Sequence, residues 1–184
     1  GTKSSLSVLS FNGNKTITTG GGGAILTNNT NLAKKAKHLS TTAKINHPWE
    51  FIHDEFGFNY RMPNINAALG CAQLEKISYL LSNKRKLYNK YKVEFSKIKG
   101  VQLIAEPKNC KSNYWLQTLL FDKEYISERE KILRNTNKIG INTRPIWKLI
   151  SNLAPYSKFP KAPLPISSSL EKRILNIPSN IIIS

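Results

Sequence analysis

Lys15 is the residue in this chain most able to do covalent chemistry. It closes the segment Ser10-Phe11-Asn12-Gly13-Asn14-Lys15 and is followed by Thr16-Ile17-Thr18-Thr19 and the four glycines Gly20 to Gly23. The short apolar run of Leu6, Val8, Leu9 and Phe11 stops at Asn-Gly-Asn, residue types that tolerate positive φ and favour turns. A second strand is expected from Ala24 to Thr27, which leaves Lys15 on a loop between two strands. An amine held there with little hydration is available in its neutral form as a nucleophile, the requirement for a Schiff-base lysine.

Other chemistry-bearing groups are weaker. Gly20 to Gly23 lack the Lys-Ser/Thr of a phosphate-binding P-loop and the order G-x-G-x-x-G, so they predict close backbone approach in a tight turn. His47, His53, Asp54 and Glu55, with Trp49 among them, match no standard zinc spacing, and no metal site is assigned. Cys71 and Cys110 are isolated thiols; Cys71 lies in an Ala/Leu-rich helical pattern, where a free cysteine acts as a small hydrophobe. Neither implies an oxidising compartment, so the cytoplasm is expected.

The elements that position these groups follow from periodicity. Leu32, Ala33, Ala36 and Leu39 predict a helix over Asn31 to Leu39, capped by Thr30 or Asn31. Ser40 to Met62 loses periodicity and reads as a long loop. Pro63 and Asn64 start a helix carrying Ile65, Ala68, Leu69 and Ala72 on one face, and Ala67 to Gly70 is small enough for close packing. Leu87, Tyr91, Phe95 and Ile98 predict a helix from Leu80 to Ile98, ended by Gly100. Its opposite face, Lys76, Lys84, Arg85, Lys86, Lys90, Lys92, Lys97 and Lys99, reads as solvated. Strands are expected at Val101 to Ile104, Trp115 to Phe121 and Ile141 to Arg144. Ser127 with Glu130 signals a capping box for a helix through Asn137, and Ser168 with Glu171 a last helix, Leu170 to Leu175. Pro155 to Pro165 excludes regular helix and central strand.

Four segments carry a family resemblance. Ser10 to Gly23 resembles the lysine segment of the DegT/DnrJ/StrS sugar aminotransferases, fold-type I enzymes that use pyridoxal 5'-phosphate (PLP). Gly57-Phe58-Asn59-Tyr60-Arg61-Met62-Pro63-Asn64-Ile65-Asn66-Ala67-Ala68-Leu69-Gly70, then Ala72-Gln73-Leu74-Glu75, is similar to a second family motif. Lys111 to Leu116 and Thr143-Arg144-Pro145-Ile146-Trp147 extend the match, and the group nearest in pattern acts in legionaminic-acid-type sugar pathways. Family members run to roughly twice this length, beyond what one compact core holds. The chain resembles their second half. Their glycine-threonine segment for the cofactor phosphate and the aspartate facing the pyridine nitrogen have no counterpart here, so a partial sequence is expected that binds PLP weakly and is inactive alone.

The resemblance implies an α/β fold, the C-terminal portion of a fold-type I PLP-dependent transferase. Residues 1–75 would end the large-domain sheet, 76–100 form a connector helix and 101–184 a small α/β domain. It implies that Lys15 holds PLP and, once released by the amino donor, moves a proton between Cα and C4′. Ser10 would contact the cofactor phosphate, and Asn59 would reach the neighbouring subunit's phosphate across a homodimer with a shared active site. Arg61, Arg144 and Trp147 would contact the sugar nucleotide. The implied reaction moves an amino group from L-glutamate to a keto carbon, C4, of a nucleotide-linked 4-keto-6-deoxysugar, for surface polysaccharide or flagellin glycosylation. Read without the family, Ser10 is a strand-end turn residue, Asn59 satisfies loop backbone, Arg61 pairs with a carboxylate and Trp147 fills the small-domain core.

Composition sets the competing readings. With 184 residues and 40% hydrophobic content, the chain is long enough for a real core. No apolar run reaches the length of a membrane span, and a soluble protein with no membrane partner is expected. Twenty-eight basic against eleven acidic residues give a formal charge of +17. That suggests polyanion binding, centred on Lys84 to Lys99, but no nucleic-acid-binding motif is present and the lysines are dispersed. A PLP-fold sensor without amino transfer is the other alternative.

Overall fold

The computed structural model describes residues 3–181. The chain divides into two compact units between Ser78 and Tyr79. No helix among the described residues is long and apolar enough to cross a membrane.

In the first unit, β1 (Ser7–Ser10) and β2 (Gly23–Leu26) form an antiparallel pair in which Ser7 faces Leu26 and Ser10 faces Gly23. Helix α1 (Thr30–Ser40) begins one residue earlier than expected. Its cap is Asn29, whose side-chain Oδ1 accepts from the Asn31 and Leu32 N–H groups at 2.9 and 3.1 Å. Residues 41–62 are irregular, tied by single bridges between Thr41 and Asn59 and between Lys44 and His53. Helix α2 (Asn64–Glu75) follows Pro63. Ala43 is the only buried hydrophobic residue described in this unit, while Val8 is 77%, Ile65 80% and Phe56 99% exposed. A two-stranded ribbon has too few neighbours to cover its side chains.

The second unit has the core. Its sheet runs β3 (Val101–Leu103), β4 (Gln117–Phe121), β6 (Ile174–Ile177), β5 (Arg144–Pro145), with every neighbouring pair antiparallel. Helices α3 (Ile77–Phe95), α4 (Ile126–Lys138) and α5 (Pro165–Arg173) complete it. Tyr88 of α3 packs with Leu103, Tyr114, Leu119, Phe121, Leu175 and Ile177.

Several expectations change here. The fourth strand starts at Gln117, two residues late, because Tyr114 stands at φ +46° and turns the chain just before it. The capping box at Ser127 does not form: α4 starts at Ile126, so Ser127 is already helical, and Glu130 pairs with Arg129. Only Arg144 and Pro145 pair where Ile141 to Arg144 was expected. The last helix ends at Arg173, and Ile174 and Leu175 belong to an inner strand buried along its whole length. Short apolar runs of this kind fit helix or buried strand equally. Lys84, expected on the solvated face of α3, is only 8% exposed.

A charged clasp holds residues 106–114 against α3. Arg85 donates from Nη1 and Nη2 to the two Glu106 oxygens at 2.7 and 3.2 Å, and to the Ser112 carbonyl at 3.1 Å. The Ser112 N–H donates to Glu106 Oε2 at 2.6 Å. These donors hold the Glu106 carboxyl at about 2 against an ordinary 4.5. A carboxyl depressed on folding contributes stability that is complete above pH 4.5 and is lost as pH falls through about 2. Glu106→Gln should therefore be less stable than the unsubstituted protein at neutral pH. The gap between their melting temperatures should narrow across that acid window, and a gap independent of pH would contradict the clasp.

Candidate active site

Lys15 is half-buried on the loop leaving β1. A tight turn forms where Lys15 N–H donates to the Asn12 carbonyl at 3.0 Å. The pairing of the strands continues into the loop, since Phe11 N–H donates to Gly22 O and Thr19 N–H to Phe11 O, both at 3.0 Å. Thr18 Oγ1 also donates to Phe11 O at 3.0 Å and accepts from Gly20 N–H at 2.9 Å. Gly20 and Gly22 stand at φ +81° and +83°, a backbone region open to glycine and strained for other residues. The sequence expectation of a tight glycine turn holds at these two positions.

Helix α2 holds this loop from one side. Gln73 Oε1 accepts from Thr18 N–H at 3.1 Å, and Asn66 Nδ2 donates to Thr19 O at 2.6 Å. A methyl group on Gly70 would lie 2.9 Å from the Thr19 methyl, so the helix and the buried Thr19 approach through the glycine. Asn66 and Gln73 had no assigned role in the sequence reading, although both lie in its second motif. Their i, i+7 spacing put them on one helical face, and only the fold shows that this face meets the Lys15 loop.

Ser10 is exposed at the end of β1, and its Oγ accepts from Asn12 N–H at 3.4 Å, a local turn contact. The exposed Asn59 is anchored by its backbone bridge to Thr41, and its side chain makes no hydrogen bond among the described residues. The reading in which its amide satisfies loop backbone is thus not what the structure shows. Arg61 is exposed and pairs with no carboxylate among the described residues. It lines a groove of about 980 Å³ with Gly22, Lys37, Tyr60 and Asn66. The buried Thr16 hydroxyl, next to Lys15, has no hydrogen-bond partner among the described residues.

Elsewhere in this unit His38 Nε2 lies 2.6 Å from Asp54 Oδ1, and Lys35 pairs with Glu55. The hydrogen bond from His38 lowers the Asp54 carboxyl below its ordinary range. These groups satisfy one another, and His47 and His53 instead contact nearby backbone.

In the second unit, Arg144 Nη1 donates to Asn137 Oδ1 at 2.7 Å and to Thr143 O at 3.0 Å, with the guanidinium at the surface. Trp147 is 64% exposed and sits beside Trp115, so it does not fill the core as its structural reading required.

The chain belongs to the DegT/DnrJ/EryC1/StrS aminotransferase family, whose model matches residues 1–183. Aminotransferases of this family are PLP-dependent. The chain is 37% identical over 180 residues to the GDP-perosamine synthase of Escherichia coli O157:H7, covering 97% of this chain and 48% of that protein. It is 30% identical over 159 residues to the UDP-4-amino-4,6-dideoxy-N-acetyl-beta-L-altrosamine transaminase of Campylobacter jejuni, covering 86% and 42%. The structure of Helicobacter pylori PseC, an aminotransferase involved in pseudaminic acid biosynthesis, matches with a TM-score of 0.89 at 26% identity, over 95% of this chain and 48% of that one. The chain thus spans about half the length of these relatives. The expected α/β fold of a fold-type I transferase's C-terminal portion is borne out.

Proposed function

We propose that the protein, in its full length, transfers an amino group from L-glutamate to C4 of a nucleotide-linked 4-keto-6-deoxysugar. The carrying observation is the family match together with Lys15 held on a loop that α2 fixes through Gln73 and Asn66. PLP supplies the electron sink that stabilises a carbanion at the substrate carbon. The residues fit that cofactor: the half-buried Lys15 is followed in the chain by Thr16, whose buried hydroxyl has no hydrogen-bond partner among the described residues, and the Ser10 hydroxyl stands at the strand end. Lys15 would hold the cofactor and, when free, would carry the proton. Ser10 Oγ would donate to the cofactor phosphate.

Asn59 serves a second subunit, which accounts for an exposed amide with no hydrogen-bond partner among the described residues. A homodimer with shared active sites also covers the exposed apolar side chains of the first unit. Mixing Lys15→Ala and Asn59→Ala full-length proteins should then restore activity, because each hybrid dimer has one site with both residues intact. Hybrids as inactive as the parents would place both residues in one subunit. Arg61, Arg144 and Trp147 are each candidate contacts for the sugar nucleotide. The product enters bacterial surface polysaccharide or flagellin glycosylation, in the cytoplasm, and the legionaminic-acid-type group is one candidate setting.

The test is direct. Full-length protein with PLP, L-glutamate and GDP-, UDP- or dTDP-linked 4-keto-6-deoxysugar should form 2-oxoglutarate and an amino sugar nucleotide. PLP binding without transfer to any of the three would favour the sensor reading.

A further inference from the structure

Thr42 and Ala43, just past the end of α1, both hold a left-handed backbone, at φ +67° and +50°. Neither is glycine, and threonine is branched at Cβ, so two such residues in succession are strained. Strain of this kind persists only where surrounding contacts over-determine it. Those contacts come from both directions along the chain. Ala43 is fully buried, and its N–H donates to the His38 carbonyl at 2.9 Å. Its own carbonyl accepts from Asp54 N–H at 3.3 Å. The Thr42 carbonyl lies 2.7 Å from His53 Nδ1, and since a carbonyl only accepts, that ring nitrogen carries the hydrogen. The His38–Asp54 and Lys35–Glu55 pairs fasten the same stretch to α1.

The strained turn is in turn the template for residues 57–60. Thr42 N–H donates to the Phe58 carbonyl at 2.9 Å, Phe58 N–H to Leu39 O at 2.7 Å and Tyr60 N–H to Ser40 O at 2.9 Å. Gly57 approaches so closely that a methyl group there would lie 2.4 Å from both the Ala43 nitrogen and the Thr42 carbonyl carbon. The Phe58 and Tyr60 rings stack with centres 5.1 Å apart at 13°. Successive side chains of an extended segment alternate, so Asn59 between them points to the opposite side. Its amide makes no hydrogen bond among the described residues, and its direction therefore comes from this backbone.

We propose that the Thr42–Ala43 turn, locked by His53, is a positioning device that aims Asn59 at the second subunit, with His53 a positioning residue. This rests on the shared-site reading above. In the full-length protein without cofactor, His53→Leu should speed hydrogen exchange at the Phe58 and Tyr60 amides about 10-fold, what the loss of one hydrogen bond supplies. His53→Asn, whose Nδ2 can donate in place of the ring nitrogen, should restore slow exchange. His53 is exposed, so leucine there empties no core.

The second arm uses the hybrid dimer of Lys15→Ala and Asn59→Ala chains, isolated by two affinity tags. Its one complete site takes Lys15 from the Asn59→Ala chain and Asn59 from the Lys15→Ala chain. His53→Leu added to the Lys15→Ala chain should cut amino transfer about 10-fold, within what a misplaced group costs, and raise the PLP dissociation constant. Added to the Asn59→Ala chain it should change neither, whereas a role in general folding moves both alike. Gly57→Ala on the Lys15→Ala chain should act in the same direction as His53→Leu. Equal losses from either chain, or unchanged exchange at Phe58 and Tyr60, overturn the positioning role and leave the shared site standing. A hybrid that stays inactive with His53 intact removes the shared site and this inference with it.

Discussion

Lys15→Ala in the full-length protein is expected to reduce amino transfer by at least ~10⁴-fold, the upper end of what one positioned acid–base group contributes, because a nucleophile and a proton carrier vanish together. Borohydride treatment followed by peptide mapping should find the cofactor on the Lys15 peptide of the unsubstituted protein and on no peptide of the variant. Lys15→Arg should be as inactive, since a guanidinium keeps the charge and cannot serve as the neutral amine. The loop's backbone bonds run through Phe11, Asn12, Thr18, Thr19 and Gly22, and the side chains of Thr18, Asn66 and Gln73 hold it. A cooperative melting transition in both proteins should accompany the result and separate lost chemistry from lost folding. Full activity in Lys15→Ala would remove the basis of the proposed function.

The Lys15 loop was legible in the sequence because each of its features is local. Asn-Gly-Asn stops the strand, and the glycines appear where positive φ is needed. The partners that hold the loop were not legible as such, because Gln73 lies 55 residues from Thr18 and Asn66 lies 47 from Thr19. Burial failed for a related reason. A pattern of apolar residues shows which face is meant to be covered, not whether the cover is supplied by nearby chain, so β1, β2 and α2 carry apolar faces that remain exposed. Lys84 shows the opposite error: spacing assigned it to a solvated face, and the return of residue 179 along α3 covers it. Arg61 and Trp147 depart from their structural alternatives, Trp147 by its exposure and Arg61 by pairing with no carboxylate among the described residues, properties with no trace in the sequence.

The run Ile174 to Ile177 was the largest misreading of the fold, and Leu175→Ala measures how much rests on it. Leu175 is fully buried, facing Leu119 of β4 on one side and Pro145 of β5 on the other. A side chain on an inner strand leaves a space its neighbours cannot close, because both flanking strands are fixed by the ladder. Loss should fall at about 2–5 kcal/mol, the range for leucine truncation in cores. For a domain of this size that lowers the melting temperature by roughly 8 °C or more. Val8→Ala, on the exposed β1, should change stability by about 0.5 kcal/mol or less. Chemical denaturation of the two variants separates the predictions. If Leu175→Ala costs no more than Val8→Ala, Leu175 does not lie inside the sheet and the expected helix through Leu175 is restored. If the difference holds, the same inner strand explains Arg129, whose Nε and Nη2 both donate to the Ile174 carbonyl at 3.1 and 2.9 Å. That buried guanidinium ties α4 to the point where α5 gives way to β6, so the change from helix to strand is enforced from outside the segment that makes it.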